Sequence, residues 1–214
     1  MNDYLIFGVG ILAQLLFSAR ILVQWISSER AGKVLSPVIF WQLSLVASFL
    51  LILYGILRND IVIIAGQIIS YFIYIRNLRL KRSWRKISII FRIITLVFPV
   101  LAFAYLIIGE NYNYSSIFDN KNISSLLLIW GSVGQIVFCF RFIYQWYYSE
   151  KLKESVLPLG FWIISIFGSA MIIIYAIFRN DPVLIIGQLF GFIVYLRNIM
   201  ISLKEKKHIK LILK

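Results

Sequence analysis

QLLFSARILVQW, residues 14–25, returns 121 residues later as QIVFCFRFIYQW, residues 135–146. The same offset carries residues 10–77 onto residues 131–198, and 26 of these 68 positions are identical. A repeat of this length indicates a protein built from two similar halves. In membrane proteins, substrate sites tend to lie where such halves meet. Polar residues that both copies keep within apolar surroundings are therefore candidate functional residues.

The composition indicates a membrane environment. Hydrophobic residues make up 61% of the 214-residue chain, and the mean hydropathy is +0.87. A helix that crosses the hydrocarbon core needs roughly 17–25 predominantly apolar residues. Seven apolar stretches of about this length are present: 5–25, 37–57, 61–75, 87–108, 126–147, 159–178 and 182–203. The sequence predicts an all-α integral membrane protein.

The formal net charge of +13 is distributed between the predicted spans. Binding to nucleic acid would require a basic face with base-reading or stacking residues, which this pattern does not provide. Sixteen basic residues fall on one predicted side: Arg30, Lys33, Arg76, Arg79, Lys81, Arg82, Arg85, Lys86, Lys151, Lys153, Arg197, Lys204, Lys206, Lys207, Lys210 and Lys214. The other side holds only Arg58, Lys121 and Arg179. The positive-inside rule then predicts an external N-terminus and a cytoplasmic C-terminus.

This topology explains the fourth span. Three helices cross a membrane an odd number of times, so two directly joined copies would have opposite orientations. The helix predicted at 87–108 has no counterpart in the repeat and restores a parallel orientation. The predicted architecture is 3+1+3. The first repeat covers residues 1–80, the basic loop and linker helix 81–121, the second repeat 122–203, and a basic tail 204–214. Two fused repeats favour a monomer.

Polar and aromatic residues form one stripe on each helix of both repeats, at about 100° per residue. Polar residues are costly in lipid and usually face a cavity or a partner, so we expect the stripes to line one central cavity. The candidate substrate-binding residues of the first repeat are Gln14, Arg20, Gln24, Trp41, Gln67, Tyr74 and Asn77. Those of the second repeat are Gln135, Arg141, Gln145, Trp162, Gln188, Tyr195 and Asn198.

The chemistry of these residues favours a phosphorylated or sugar-bearing ligand. Arginine guanidinium groups suit phosphate or carboxylate, whereas Trp and Tyr rings stack on the apolar faces of sugars. No predicted span carries an acid near its middle, which argues against coupling to protons or sodium. One cysteine and one histidine leave little to bind a metal, and no nucleophile–base pair repeats. The sequence therefore predicts no catalytic residues, metal or cofactor.

Several of the polar residues also have a structural alternative. Arg20 lies a turn or two from the cytoplasmic end, where its guanidinium could snorkel to lipid phosphates. Arg76 and Arg197 fall opposite Gln67 and Gln188, and we expect them to snorkel in this way. Gln67 and Gln188 could bind neighbouring helices instead of substrate. The serines of the second helices could serve close helix packing. Glu29 and Glu150 are expected to pair with nearby basic residues.

The repeated Arg-Asn-Asp tripeptide at 58–60 and 179–181 predicts a tight helical hairpin. Asparagine tolerates the left-handed conformation at a helix end, and aspartate caps the helix that follows. The alternative interpretation is an outer gate.

These residues resemble a known family. The pattern Gln-x5-Arg-x3-Gln-Trp, Ser-Glu, Pro-x3-Trp, Tyr-x3-Arg-Asn-Asp, Gly-Gln and Tyr-x-Arg-Asn is similar to the lipid A biosynthesis N-terminal domain, here in tandem. That domain is similar in layout to the PQ-loop superfamily and its SWEET sugar transporters. The resemblance implies triple-helix bundles, a linker helix and alternating access in a bacterial inner membrane. The Pro-Gln dipeptide is absent, since Val38 follows Pro37 and Leu159 follows Pro158.

Three functions follow as hypotheses. The first is a transporter or flippase of a polar headgroup, such as a lipid-linked sugar or a lipid A-related intermediate. The second is facilitated transport of a free sugar or another small solute. The third is a non-catalytic membrane scaffold with a glycosyltransferase partner. The family is named after a segment attached to lipid-A-disaccharide synthase, but no glycosyltransferase domain is recognisable here, so that activity is not assigned.

Overall fold

The computed structural model describes residues 3–57, 61–108, 125–178, 180 and 182–212. Within these residues the chain is helical and contains no strand. The helices are α1 (Asp3–Ala31), α2 (Val38–Leu57), α3 (Ile61–Leu80), a short 3₁₀ helix (Trp84–Lys86), α4 (Ile89–Ile108), α5 (Ser125–Leu152), α6 (Leu159–Phe178) and α7 (Pro182–Ile212). Each predicted apolar stretch coincides largely with one of the seven α-helices, which confirms the all-α class.

Four segments of the described chain are long and apolar enough to cross a membrane: Tyr4–Ala31, Val38–Leu57, Leu159–Phe178 and Ile185–Lys207. Large apolar side chains are exposed on the helices, and examples are Phe91, Ile136 and Phe178. Such a surface suits lipid, in which helices also satisfy their own backbone polar groups. The protein is a helical membrane protein, and the 3+1+3 arrangement of its spans stays a prediction.

The helices form two compact units that do not follow the repeat boundaries. Unit 1 consists of Met1–Val23, Pro37–Phe118 and Ser149–Ser155. Unit 2 consists of Gln24–Ser36, Asp119–Tyr148 and Val156–Lys214. Each unit therefore contains most of one repeat together with the end of the first helix of the other repeat and the residues that follow it.

In unit 1, α2 packs against α3, and both helices contact α4. The buried core includes Trp41, Ile52, Tyr71 and Leu78. The 3₁₀ helix also packs against α3, and its first residue, Trp84, is buried. This packing fixes α2 and α3 relative to each other.

In unit 2, α6 packs along α7. Helices α5 and α6 approach closely at Gly168, where an added Cβ would lie 2.8 Å from the backbone nitrogen of Phe138. Small residues permit such backbone approaches in membrane helices. Glycine at this position therefore sets the distance between α5 and α6.

A left-handed residue ends several helices. The φ angle is 64° at Gly32 after α1, 55° at Arg82 after α3 and 53° at Lys153 after α5. The predicted left-handed asparagine is confirmed in the second repeat, because Asn180 has a φ of 52°. The other predictions for the hairpin motifs, at residues 58–60, 179 and 181, lie outside the described residues.

Candidate ligand-binding site

The first candidate site centres on a buried arginine of α1. The Arg20 side chain is only 5% exposed. Its Nη1 donates hydrogen bonds to Ser44 Oγ of α2 at 2.8 Å and to Tyr74 Oη of α3 at 3.1 Å. Ser44 Oγ in turn donates to the backbone carbonyl of Phe40 at 2.6 Å. One guanidinium thus joins all three helices of the first repeat.

The second repeat reproduces this arrangement. Arg141 of α5 is 4% exposed, and its Nη1 donates to Ser165 Oγ at 3.5 Å and to Tyr195 Oη at 3.1 Å. Ser165 Oγ donates to the carbonyl of Phe161 at 2.6 Å. The sequence separations of 24 and 54 residues are the same in both copies. Duplicated geometry accompanies the duplicated sequence.

Aromatic rings surround both guanidinium groups. The Arg20 Cζ atom lies 4.5 Å from the centre of the Phe17 ring, and the Arg141 Cζ atom lies 3.5 Å from the centre of the Phe138 ring. A cation over an aromatic face is attracted by the electron density of the ring, more strongly where water is excluded. These contacts help to hold each guanidinium in its buried position.

A tryptophan completes each group. The rings of Trp41 and Tyr74 have centres 6.1 Å apart, and those of Trp162 and Tyr195 have centres 6.0 Å apart. In each copy the tyrosine therefore lies between the arginine and the tryptophan. We call these two groups the Arg–Tyr–Trp clusters, and their members are Arg20, Tyr74 and Trp41 in the first repeat and Arg141, Tyr195 and Trp162 in the second.

Several donors of the clusters have no acceptor among the described residues. The indole Nε1 atoms of Trp41 and Trp162 are buried, and neither donates a hydrogen bond within this part of the chain. The Nε atom of Arg141 is in the same situation. A buried donor without a partner costs about 1–3 kcal/mol. These atoms are therefore suited to donate to oxygen atoms of a ligand.

The charge of Arg141 points to the same kind of ligand. Among the described residues, no carboxylate lies within 4.0 Å of its guanidinium. A buried charge is expensive unless an opposite charge or a dense set of hydrogen bonds compensates it. An anionic group bound at this cluster would supply that compensation.

Two other candidate residues bind each other in unit 2. Gln24 Nε2 donates to Asn198 Oδ1 at 2.8 Å, and Asn198 Nδ2 donates back to Gln24 Oε1 at 3.1 Å. Ser28 Oγ and the carbonyl of Leu35 also lie within hydrogen-bond distance of Gln24 Nε2, which shares its second hydrogen between them, and both amide side chains are fully buried. This reciprocal pair fixes the last turns of α1 against α7.

Their counterparts also have protein partners. Ser155 Oγ donates to Asn77 Oδ1 at 2.7 Å, and Asn77 Nδ2 donates to the carbonyl of Ile73 at 2.9 Å. Gln145 Nε2 donates to the carbonyl of Val156 at 2.8 Å. These contacts favour a structural role for Asn77 and Gln145, because a ligand would have to displace them.

The remaining glutamines occupy different environments. Ser48 Oγ donates to Gln67 Oε1 at 3.0 Å, and Ser169 Oγ donates to Gln188 Oε1 at 2.9 Å. These contacts favour the interhelical alternative. Gln14 and Gln135 are exposed on α1 and α5, apart from the buried clusters. The structure thus brings together the Arg, Tyr and Trp candidates of each repeat, and it leaves Gln14 and Gln135 outside the clusters.

Arg76 and Arg197 form ion pairs, which corrects the expectation that they snorkel. Arg76 binds Glu150 through both its Nε and its Nη2, the latter at 2.8 Å from Glu150 Oε2. Arg197 binds Glu29 in the same two-pronged way, with its Nε 2.9 Å from Glu29 Oε2. Each pair joins the third helix of one repeat to the end of the first helix of the other. The acidic partner is 74 or 168 residues away in sequence, so helix-face analysis could not find it.

The Arg76–Glu150 pair predicts a dependence of stability on pH. Glu150 lies beyond the predicted span 126–147, and its hydrogen bond to Arg76 lowers the pKa of this carboxyl from 4.5 to about 2. A lowered pKa in the folded state stabilises the protein above pH 4.5, and this stabilisation is lost as the pH falls from 4.5 towards 2. We expect Glu150→Gln to lower the thermal midpoint in detergent at pH 7 and to have little effect near pH 2.

The matched control is Glu205→Gln, because Glu205 has no ion pair within the described chain. Its effect on the midpoint should be small at both pH values. A Glu150→Gln effect of equal size at pH 7 and near pH 2 would contradict the role of the ion pair.

The fold and the two clusters together define a helical membrane protein with tandem repeats, each carrying a buried polar site. The chain belongs to the Lipid A Biosynthesis N-terminal domain family, which matches residues 9–79 and again residues 130–200. The expected family resemblance is confirmed. Similarity to the SWEET-like transporters stays a prediction, and no solved structure matches the chain.

Curated relatives place this region within longer proteins. The chain is 29% identical over 211 residues to a lipid-A-disaccharide synthase of Chlamydia pneumoniae, with 95% of this chain and 34% of that protein covered. A lipid-A-disaccharide synthase of Chlamydia felis is 29% identical over 217 residues, with the same coverage. The chain thus spans about a third of the length of these relatives.

Proposed function

We propose that the protein transports the polar headgroup of a phosphorylated glycolipid, such as a lipid A-related intermediate, across the bacterial inner membrane. The buried indole donors of Trp41 and Trp162, without acceptors in the described chain, are the observation that carries this proposal. They occur at equivalent positions of two repeats, beside arginines that suit phosphate and rings that suit sugar. Alternating access between the repeats would carry the headgroup from one leaflet to the other.

Family membership supports the glycolipid context. The matched relatives are named lipid-A-disaccharide synthases, so the same region occurs in proteins whose name refers to lipid A. In our proposal, Arg20 and Arg141 bind the phosphate and the tryptophans donate to sugar oxygens. The basic loops are cytoplasmic, the N-terminus is external, and the fused repeats act as a monomer.

A leaflet-accessibility assay tests this proposal. The protein is reconstituted in liposomes that contain a lipid-linked disaccharide with one phosphate, and an impermeant phosphatase removes phosphate from the outer leaflet only. Translocation makes the inner pool accessible over time. We expect Trp41→Phe combined with Trp162→Phe to slow this process about 30-fold, since two hydrogen bonds of about 1 kcal/mol each are lost while an aromatic ring is kept at both positions.

The control variant is Trp146→Phe, which removes the same indole donor from an exposed position. It should leave the rate unchanged. An unchanged rate in the Trp41/Trp162 double variant would refute the role of the buried donors. Transport of a soluble disaccharide without the lipid would favour the free-sugar alternative.

A separate observation favours the scaffold alternative. The match covers 34% of each relative, so most of each relative lies outside the matched region. A scaffold would position a glycosyltransferase partner at the membrane and would move no headgroup. Wild-type protein that leaves the inner pool inaccessible, but raises the activity of a co-reconstituted glycosyltransferase, would favour this function over transport.

A further inference from the structure

A second basic site lies in unit 1, at the end of α3 and the beginning of α4. It is a cavity of about 720 Å³ lined by Arg79, Arg82, Trp84, Arg85 and Arg92. We propose that this cavity binds the phosphate of an anionic lipid headgroup from the adjoining leaflet. The site is separate from the Arg–Tyr–Trp clusters and does not depend on the proposed transport function.

The end of α3 shapes one wall of the cavity. The backbone N–H of Ser83 donates to the carbonyl of Leu78, and that of Arg82 donates to the carbonyl of Arg79. This pair of bonds closes a helix with a left-handed residue, for which glycine is usual. Here the left-handed residue is Arg82, with a φ of 55°. The chain thus places an arginine in a conformation that costs energy for any residue with a side chain.

The 3₁₀ helix forms the next part of the wall. Trp84 is buried, and the guanidinium carbon of Arg79 lies 5.7 Å from the centre of its ring. This contact orients Arg79 at the cavity. Arg85 follows on the same 3₁₀ helix, and Arg92 comes from the first turns of α4.

Four arginines therefore line one cavity. Among the described residues, no carboxylate lies within 4.0 Å of any of them. The Nε atom of Arg92 is buried and has no hydrogen-bond acceptor in the same part of the chain. Arginine forks bind phosphate through paired charge-assisted hydrogen bonds, so a phosphate group satisfies both the charge and the geometry.

The beginning of α4 favours a lipid as the source of the phosphate. Ile90 and Phe91, next to Arg92, are each 64% exposed and suit contact with acyl chains. Basic pockets beside membrane helices on the cytoplasmic side commonly bind anionic headgroups. A lipid could place its phosphate in the cavity while its chains cover the apolar surface of α4.

The position of the cavity along the chain separates it from the family's repeated sites. The family matches end at residue 79 and resume at residue 130. Arg82, Trp84, Arg85 and Arg92 all lie between them. The second repeat therefore has no equivalent of this cavity in its matched sequence, and the site belongs to the connection that joins the repeats.

Native mass spectrometry of the full chain in detergent tests this assignment. Phosphatidylglycerol is titrated against a neutral digalactosyl lipid, and the dissociation constants are compared with those of the Arg82→Gly/Arg92→Gln variant. We expect about 25-fold weaker binding of phosphatidylglycerol in this variant, at about fivefold for each arginine removed, and no change for the neutral lipid. Glycine at position 82 accommodates the left-handed conformation, so we expect this substitution to leave the end of α3 intact.

The matched control is Lys153→Gly combined with Arg30→Gln. Like the cavity variant, it removes two positive charges, and one of them comes from a residue with a left-handed backbone, Lys153. Neither residue lines the cavity. Its affinity for phosphatidylglycerol should stay within about twofold of wild type. Equal affinities of the cavity variant and the control variant would overturn the proposal. If the double variant does not fold, Arg85→Gln, at an exposed position, provides the same comparison.

A second titration distinguishes a lipid from a soluble phosphate. Glycerol 1-phosphate carries the same headgroup charge without acyl chains. We expect glycerol 1-phosphate to displace phosphatidylglycerol only at concentrations at least about a hundredfold above the dissociation constant of the lipid, because it cannot cover the apolar surface of α4. Equal affinity for glycerol 1-phosphate would overturn the lipid source and assign the cavity to a soluble phosphorylated ligand.

Discussion

Replacing Asn198 with leucine should lower the free energy of unfolding by about 1–3 kcal/mol, because it leaves the buried carboxamide oxygen of Gln24 without its donor. Gln24→Leu should have a cost of similar size. The double variant removes both polar groups, so its cost should be well below the sum of the two single costs. Reversible unfolding of the purified protein in mixed detergent micelles measures all three values.

A double-mutant cycle of this kind isolates the coupling between the two amides. Gln135→Leu is the control, because Gln135 lies exposed on α5 and should tolerate leucine with a change within about 0.5 kcal/mol. Additive single costs would show that the reciprocal pair contributes no coupling. Intact stability combined with lost transport would instead return Gln24 and Asn198 to the substrate-binding residues predicted from the sequence.

The helices could be predicted because apolar length alone specifies them in a membrane protein. The left-handed Asn180 could also be predicted, since few residue types tolerate that conformation. Helical periodicity placed Arg20, Trp41 and Tyr74 on inward stripes, and the structure joins them in one cluster. Local sequence carries this information because each stripe depends only on spacing within one helix.

Partners from distant parts of the chain could not be predicted in the same way. Gln24 and Asn198 were both assigned to a cavity, whereas their amides bind each other across 174 residues of sequence. Periodicity shows which face a residue occupies but not what lies opposite it. Likewise, Arg79, Arg82 and Arg85 were counted only as positive-inside charges, and Arg92 fell within the predicted span 87–108. Their arrangement around one cavity depends on the turn at Arg82 and on the 3₁₀ helix, neither of which produces a periodic signal.

Replacing Arg141 with glutamine should reduce headgroup translocation at least tenfold while leaving stability nearly unchanged. A charge-assisted hydrogen bond to phosphate contributes about 1.5–3 kcal/mol, and glutamine removes the charge. The cost to the unliganded protein is small, since burying a charge without a carboxylate is itself unfavourable. Changing Arg20 to glutamine as well should lower the rate about a hundredfold or more if both sites bind the headgroup.

The combination of outcomes separates a ligand-binding arginine from a structural one. An arginine retained only to join α5, α6 and α7 would lose stability on replacement, and activity would fall in proportion to the folded fraction. An arginine retained for an anionic ligand would lose activity at full folded yield, measured by phosphatase accessibility and by the thermal midpoint of the same sample. Arg141→Lys refines the comparison, because lysine keeps the charge but lacks the planar fork. The surface control is Arg30→Gln, which should translocate at the wild-type rate. Partial recovery of translocation in Arg141→Lys would then assign the loss to phosphate binding.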